Sequence, residues 1–265
     1  MKKTERSKPS AGRTSRASYR RHPMSLVQRI AVTASAVITF AILAALLAYI
    51  LIMGVPNLKP GLFAWHYTSD NCSMTPAIIN TLLMVVLSLL LSVPFGIGAA
   101  IYLVEYAKRG NKLVKVVRLT AETLSGIPSI VYGLFGYLMF VIALNMDKSM
   151  LAGALTLAIM VLPTILRTTE EALKAVPGIF SGIILAIGRI VGETAALIFT
   201  AGTFSGVAGG VMESGRTLAV HMYCLLNEGL HRSEAYATAV VLLVMVIGIN
   251  ALSGAAAKRI ARRTQ

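Results

Sequence analysis

Six apolar stretches punctuate the chain, at about 30–53, 78–104, 127–144, 151–166, 179–201 and 237–257. Charged residues or glycine and proline clusters separate them. An uncharged apolar run of roughly 17–25 residues is long enough to cross a bilayer as a helix. The pattern therefore predicts an all-α polytopic membrane protein with six transmembrane helices and no soluble globular domain. The first stretch, Ile30–Met53, carries no charge. It is longer than the roughly 7–15 residues of a signal-peptide core, and no A-x-A-like cleavage site follows it, so it reads as a retained helix. The third and fourth stretches are short, and the third contains Pro128 and several glycines. Such breaks are tolerated in a membrane where the backbone faces protein or a water-filled cavity.

Between these stretches the charges fall unevenly. With the N-terminus inside, inner segments hold 20 of the Lys and Arg residues, including nine in residues 1–29, while outer loops hold only Lys59, Lys148, Arg216 and Arg232. That asymmetry predicts both termini on the cytoplasmic side of the cell membrane. Residues 1–25, rich in Lys, Arg and Ser, read as a disordered basic tail, and 26–260 as the membrane domain. Asn111–Ser125 mixes Leu113, Val116, Val117, Leu119 and Leu124 with basic residues, the pattern of an amphipathic helix lying at the inner interface.

Composition sharpens this picture. The chain is 56% hydrophobic and 14% charged, which excludes an ordinary soluble domain. A net charge of +14 suggests nucleic-acid binding at first sight. The placement of the charges beside apolar segments makes it a topology signal instead, with the bilayer as the partner. Cys72 and Cys224 stand in no metal or redox spacing. Both fall in outer loops, where a disulfide is open to them, but two unpaired thiols are the simpler reading. His22, His66, His221 and His231 are scattered and read as surface residues. There is no Gly-Lys dipeptide and hence no P-loop, and no HExxH, GxSxG or metal-spaced Cys/His set. No catalytic group, cofactor or metal is expected.

Candidate chemistry concentrates in the fifth stretch. Arg189 and Glu193 are the only charges well inside an apolar segment. Each costs a few kcal/mol at mid-bilayer and must face protein or water. Their i,i+4 spacing puts them on one helical face, where they can pair. The residues alone leave two readings open: a polar site on a transport path with the guanidinium ready for an anion, or an internal ion pair that fixes packing. Gly178, Gly182 and Ala186, and Gly188, Gly192 and Ala196, form small-residue rows that let helices approach closely. Gly126-Ile127-Pro128-Ser129 opens the third stretch. It reads as a plain helix cap or as a half-helix start whose free N–H groups attract an anion.

Four stretches carry a family resemblance. They are Gly96-Ile97-Gly98-Ala99-Ala100-Ile101-Tyr102-Leu103-Val104-Glu105-Tyr106, Glu122-Thr123-Leu124-Ser125-Gly126-Ile127-Pro128-Ser129-Ile130-Val131-Tyr132-Gly133, Leu162-Pro163-Thr164-Ile165-Leu166-Arg167-Thr168-Thr169-Glu170-Glu171-Ala172-Leu173, and Gly182 through Ala196 with Gly188-Arg189-Ile190-Val191-Gly192-Glu193-Thr194-Ala195 at its centre. Together they resemble the PstA-type permease subunits of the phosphate-specific ABC transporter. His221-Met222-Tyr223, Asn227-Glu228-Gly229 and Glu234-Ala235-Tyr236-Ala237-Thr238-Ala239 tilt the match away from the sister permease. The resemblance implies the MetI-like permease fold and import of inorganic phosphate. It implies a second homologous permease, a cytoplasmic ATPase dimer and an extracytoplasmic phosphate-binding protein as partners. It makes Arg189, Glu193, Arg167, Thr194 and Ser129 candidates for the substrate path.

The chain departs from the family in one place. The family carries about thirty residues, with a Glu-Ala-Ala…Gly coupling helix that docks on the ATPase, between its Lys-Ala-Val-Pro stretch and the fifth helix. Here Lys174-Ala175-Val176-Pro177 runs directly into Gly178-Ile179-Phe180-Ser181-Gly182. About a dozen residues join Leu166 to Ile179, enough for a helix hairpin but not for a coupling helix as well. The expectation is insertion in the membrane with poor or no coupling to ATP hydrolysis. The sister phosphate permease, a permease for another solute and a non-transporting membrane assembly subunit are the alternatives.

Overall fold

The computed structural model describes residues 23–108, 110–175 and 180–263, and among these it contains helices and no strand. The basic tail up to residue 22, Arg109 and the Pro177–Gly178 junction lie outside the described residues. The chain divides into two units, 1–49 and 50–265. The described part of the first is the bulk of one apolar helix, α1 (Pro23–Gly54).

The second unit holds α2 (Thr75–Ile101), α3 (Lys112–Ser125), α4 (Ser129–Gly136), α5 (Met150–Ala175), α6 (Phe180–Val191), α7 (Ala195–Thr200), α8 (Leu218–Glu228) and α9 (Arg232–Arg263). A wider π-helical turn extends α2 through Tyr102–Tyr106, and another extends α4 through Tyr137–Ala143. Helices α2 and α5 run side by side in the same direction. A Cβ on Gly153 would touch the Met84 methyl, and one on Gly96 would touch Ile165. Met84, Leu157, Ile165, Ile190 and Leu197 form the apolar core where α2, α5, α6 and α7 meet. A second cluster of Leu62, Met74, Leu218, Leu225 and Ala235 closes the end of the bundle at which α2 begins.

Four helices are long and apolar enough to cross a membrane, Leu26–Asn57, Thr75–Tyr106, Met150–Leu173 and Arg232–Ala256. A fifth crossing results if α3 and the α4 segment, bent by 104° at Gly126–Pro128, count as one span. The molecule is a multi-pass membrane protein, but the described residues do not reach the expected six continuous helices. The reason lies in the 179–201 stretch. It is broken after Val191 and leaves only the shorter apolar helix Gly182–Val191.

The amphipathic segment is a helix bounded by its own chemistry. Asn111 caps α3, its side-chain oxygen accepting the Leu113 amide at 2.9 Å. Such a cap satisfies one of the orphan N–H groups of the first turn.

Candidate functional site

The break in the fifth apolar stretch is where the candidate chemistry collects. Residues 192–194 leave the helix between α6 and α7. Gly192 is exposed and weakens the helix, since glycine loses the most backbone freedom on ordering. Glu193 then takes over the start of α7. Its Oε1 accepts the Ala196 amide at 3.1 Å, while its own N–H donates to the Ile190 carbonyl at 3.2 Å. Glu193 is 8% exposed. A buried carboxylate needs such compensation, and the free amides of a helix start supply it. Thr194 is the N-cap residue, yet its hydroxyl makes no capping bond, because the Glu193 carboxylate fills that role.

Arg189 sits in the last turn of α6 and is half-buried. The ion pair that its i,i+4 spacing from Glu193 allowed is not among those formed by the described residues. The helix ends two residues before Glu193, so the two side chains no longer share one face. Arg189 instead lies close enough to the buried Tyr132 for its charge to act on the phenol, whose hydroxyl donates to the Leu124 carbonyl at 2.9 Å.

Ser129 is the first residue of α4 and half-buried, with Pro128 as its cap. Helix α4 holds the break in place. A Cβ on Gly133 would lie 2.7 Å from the Ala196 Cα, and one on Gly136 would run into Thr156. These glycines let α4 pack backbone to backbone on α7 and against α5. Of the two small-residue rows, the first behaves as a contact row at Gly182, where a Cβ would collide with Thr168. The second does not: Gly188 meets only Asn250 at 3.6 Å, and Gly192 meets only its own helix.

Arg167 is placed apart from this break. It lines a cavity of about 440 Å³ between α3 and the end of α5, with Arg118, Glu122, Ser125, Glu170 and Glu171. Arg118 Nη2 pairs with Glu170 Oε1 at 2.5 Å, and Arg167 Nε donates to Glu171 Oε1 at 3.3 Å. Two guanidiniums facing three carboxylates do not make an anion funnel.

Sequence reasoning missed a polar cluster at the opposite end of the bundle. Asn80, near the start of α2, donates to the carbonyls of Gly206 (2.9 Å) and Arg216 (3.2 Å) and accepts the Ala208 amide at 3.0 Å. Thr81 Oγ1 accepts the Leu218 amide at 2.8 Å. These bonds pin the chain so that Arg216 and His221 are buried, at 4% and 0% exposure. The Arg216 guanidinium lies 4.4 Å over the Tyr67 ring, and His221 meets the same ring edge-on at 6.0 Å. His221 is therefore not the surface residue its scattered position suggested. Burial first, and the Arg216 charge second, lower its pKa from 6.5 to about 3, with the nearby Cys72 backbone pulling weakly the other way. The visible signal was Asn80 and Thr81, polar residues inside an apolar stretch.

Cys72 and Cys224 are both free thiols, the former buried. Burial pushes both above the ordinary thiol range, which leaves them little thiolate to react.

No family model matches the chain. Individual relatives do. The probable ABC transporter permease protein YqgI of Bacillus subtilis is 31% identical over 81% of this chain and 88% of its own length. The phosphate transport system permease protein PstA 1 of Mycobacterium tuberculosis is 30% identical over 66% of this chain and 67% of its own. The phosphate transport system permease protein PstA of Pasteurella multocida is 36% identical over 56% and 63%. With such a share of the first two covered at 30% identity or more, the chain belongs to the ABC transporter permeases of the PstA type.

Proposed function

We propose that this chain is the PstA-type permease subunit of an ATP-driven importer of inorganic phosphate. Its membrane domain, 26–260, sits in the cytoplasmic membrane with both termini inside. The chain hydrolyses nothing itself; ATP belongs to a cytoplasmic ATPase dimer. A second homologous permease completes the path, and an extracytoplasmic binding protein delivers phosphate.

The observation that carries the path assignment is the buried Glu193 at a helix break, one turn from the half-buried Arg189, which has no carboxylate within ion-pair distance among the described residues. Broken helices in membranes place helix ends and polar side chains against a substrate route. Arg189 offers phosphate a planar bidentate donor, Glu193 fixes the break that presents it, and Thr194 and Ser129 offer hydroxyls at the starts of α7 and α4. Arg167, neutralised by Glu171, stands at the inner mouth.

Energy coupling is the defective part. Only positions 176–179 separate the end of α5 at Ala175 from the start of α6 at Phe180, a length that supports this reading. The relatives support the reading that a segment is missing. The match to PstA 1 runs over 205 positions but uses 66% of this chain's 265 residues, leaving roughly thirty positions opposite gaps in this chain. That length agrees with a coupling segment. The reading therefore predicts a permease that assembles in the membrane and transports poorly.

The test is uptake of radiolabelled phosphate by a cell that lacks its own PstA-type permease. The chain is supplied with a coupling segment inserted at Pro177–Gly178. Arg189→Ala in that background should abolish uptake while the partner subunits still co-purify. Unchanged uptake would overturn the path assignment.

A further inference from the structure

The π-helical turn Tyr102–Tyr106 and α3 leave a groove of about 970 Å³ between them. Lys108, Lys112 and Lys115, all exposed, line it together with the apolar Leu103, Val114 and Leu119. None of these lysines takes part in an ion pair among the described residues. Arg118 lines the groove too, but its guanidinium is taken by Glu170. Among the described lining residues Glu122 is the single carboxylate, and Glu105 of the π-helical turn does not line the groove.

Three lysines against one carboxylate repel one another, and an anion between them relieves that repulsion. A simple ion would leave Leu119 in water. The complementary occupant carries an anion at one end and hydrocarbon at the other. The surroundings point the same way. The lysines directly follow the apolar span Thr75–Tyr106. Helix α3 exposes Leu113, Val116 and Leu119 along one flank, and the end of that span exposes Tyr102 and Tyr106. Tyrosines at the end of a span sit at the level of the lipid headgroups, and the apolar flank of a basic amphipathic helix sinks into the acyl boundary beneath them.

We propose that this groove holds an anionic phospholipid, its phosphodiester against Lys108, Lys112 and Lys115 and its acyl chains along Leu103 and Leu119. The proposal rests on the proposed function only for the leaflet that the groove faces, the cytoplasmic one.

Binding of radiolabelled phosphatidylglycerol to the full chain in neutral detergent tests it. Unlabelled phosphatidylglycerol should displace the label, and phosphatidylcholine with the same acyl chains should not. Lys112→Gln with Lys115→Gln should weaken binding about fivefold for each lysine removed. Lys112→Arg with Lys115→Arg should keep it, which separates loss of charge from a folding defect. The charge-matched pair Lys59→Gln and Lys148→Gln, in the other loops, should leave it unchanged. Equal displacement by the two lipids, or an equal loss in the charge-matched pair, would overturn the site. Displacement by millimolar phosphate beyond that by chloride at equal ionic strength would assign the lysines to free phosphate and overturn it too. The assay reads lipid and not transport, so a chain that failed to import phosphate would still give a clear answer here.

Discussion

The Glu193 carboxylate and the Ala196 amide, 3.1 Å apart, hold together a helix that the amino-acid pattern runs straight through. The same contact keeps Arg189 and Glu193 from pairing, because it turns the carboxylate toward α7 and away from the last turn of α6. Removing it is expected to loosen α7. Glu193→Ala should lower stability by about 1 kcal/mol, the usual worth of a helix-start acceptor. Glu193→Gln, which keeps an acceptor oxygen, should lose less. Thermal unfolding of the two variants side by side checks the order.

The α4–α7 contact should be intolerant of a single methyl. Gly133→Ala puts a Cβ 2.7 Å from the Ala196 backbone, and overpacking of this kind costs about 1–3 kcal/mol. Gly248→Ala meets nothing within 4 Å and should gain up to about 1 kcal/mol from helix propensity. Equal effects of the two changes on Tm would refute the close approach.

The pair Arg118–Glu170 ties the amphipathic helix to the end of α5. Arg118 is nearly half exposed, so solvent screens the pair. A double-mutant cycle with Arg118→Met and Glu170→Gln should give a coupling of about 0.5–1 kcal/mol that shrinks at high salt. A coupling that does not respond to salt would contradict an ionic contact.

Much of the architecture was legible along the chain, for physical reasons. The 78–104 and 237–257 stretches carry no deep charge, and the first appears as α2 with its π-helical extension to Tyr106, the second within α9 (Arg232–Arg263). Asn111 before an amphipathic run marked the start of α3. The break at Gly192–Thr194 was not legible, because Arg189 and Glu193 at i,i+4 look the same whether the helix continues or stops. Nor was the Arg216–His221 cluster. It is assembled by Asn80 and Thr81 bonding to residues more than 120 positions away, and no local pattern encodes such a contact.

Acid should probe that cluster. The folded pKa of His221, about 3, lies below the unfolded 6.5. The unfolded chain thus binds a proton in this window that the folded chain refuses. Stability is full above pH 6.5 and falls as pH drops, by up to about 1.4 kcal/mol per pH unit. Arg216 adds to the penalty, and Tyr67 packs on the ring, while Asp70, Glu228 and Glu234 are the carboxylates that act on the neighbouring Cys72. The slope of Tm between pH 7 and 5 should flatten in His221→Asn. An unchanged slope would show that the ring is not buried neutral.

The measurement that bears most directly on the account is ATP-driven uptake of radiolabelled phosphate by cells lacking their own PstA-type permease. The chain is supplied either as it stands or with a coupling segment inserted at Pro177–Gly178. Membrane insertion of both is expected, with near-background uptake for the first and restored uptake for the second. Full uptake by the chain as it stands, or none with the segment inserted and the partner subunits bound, would contradict it.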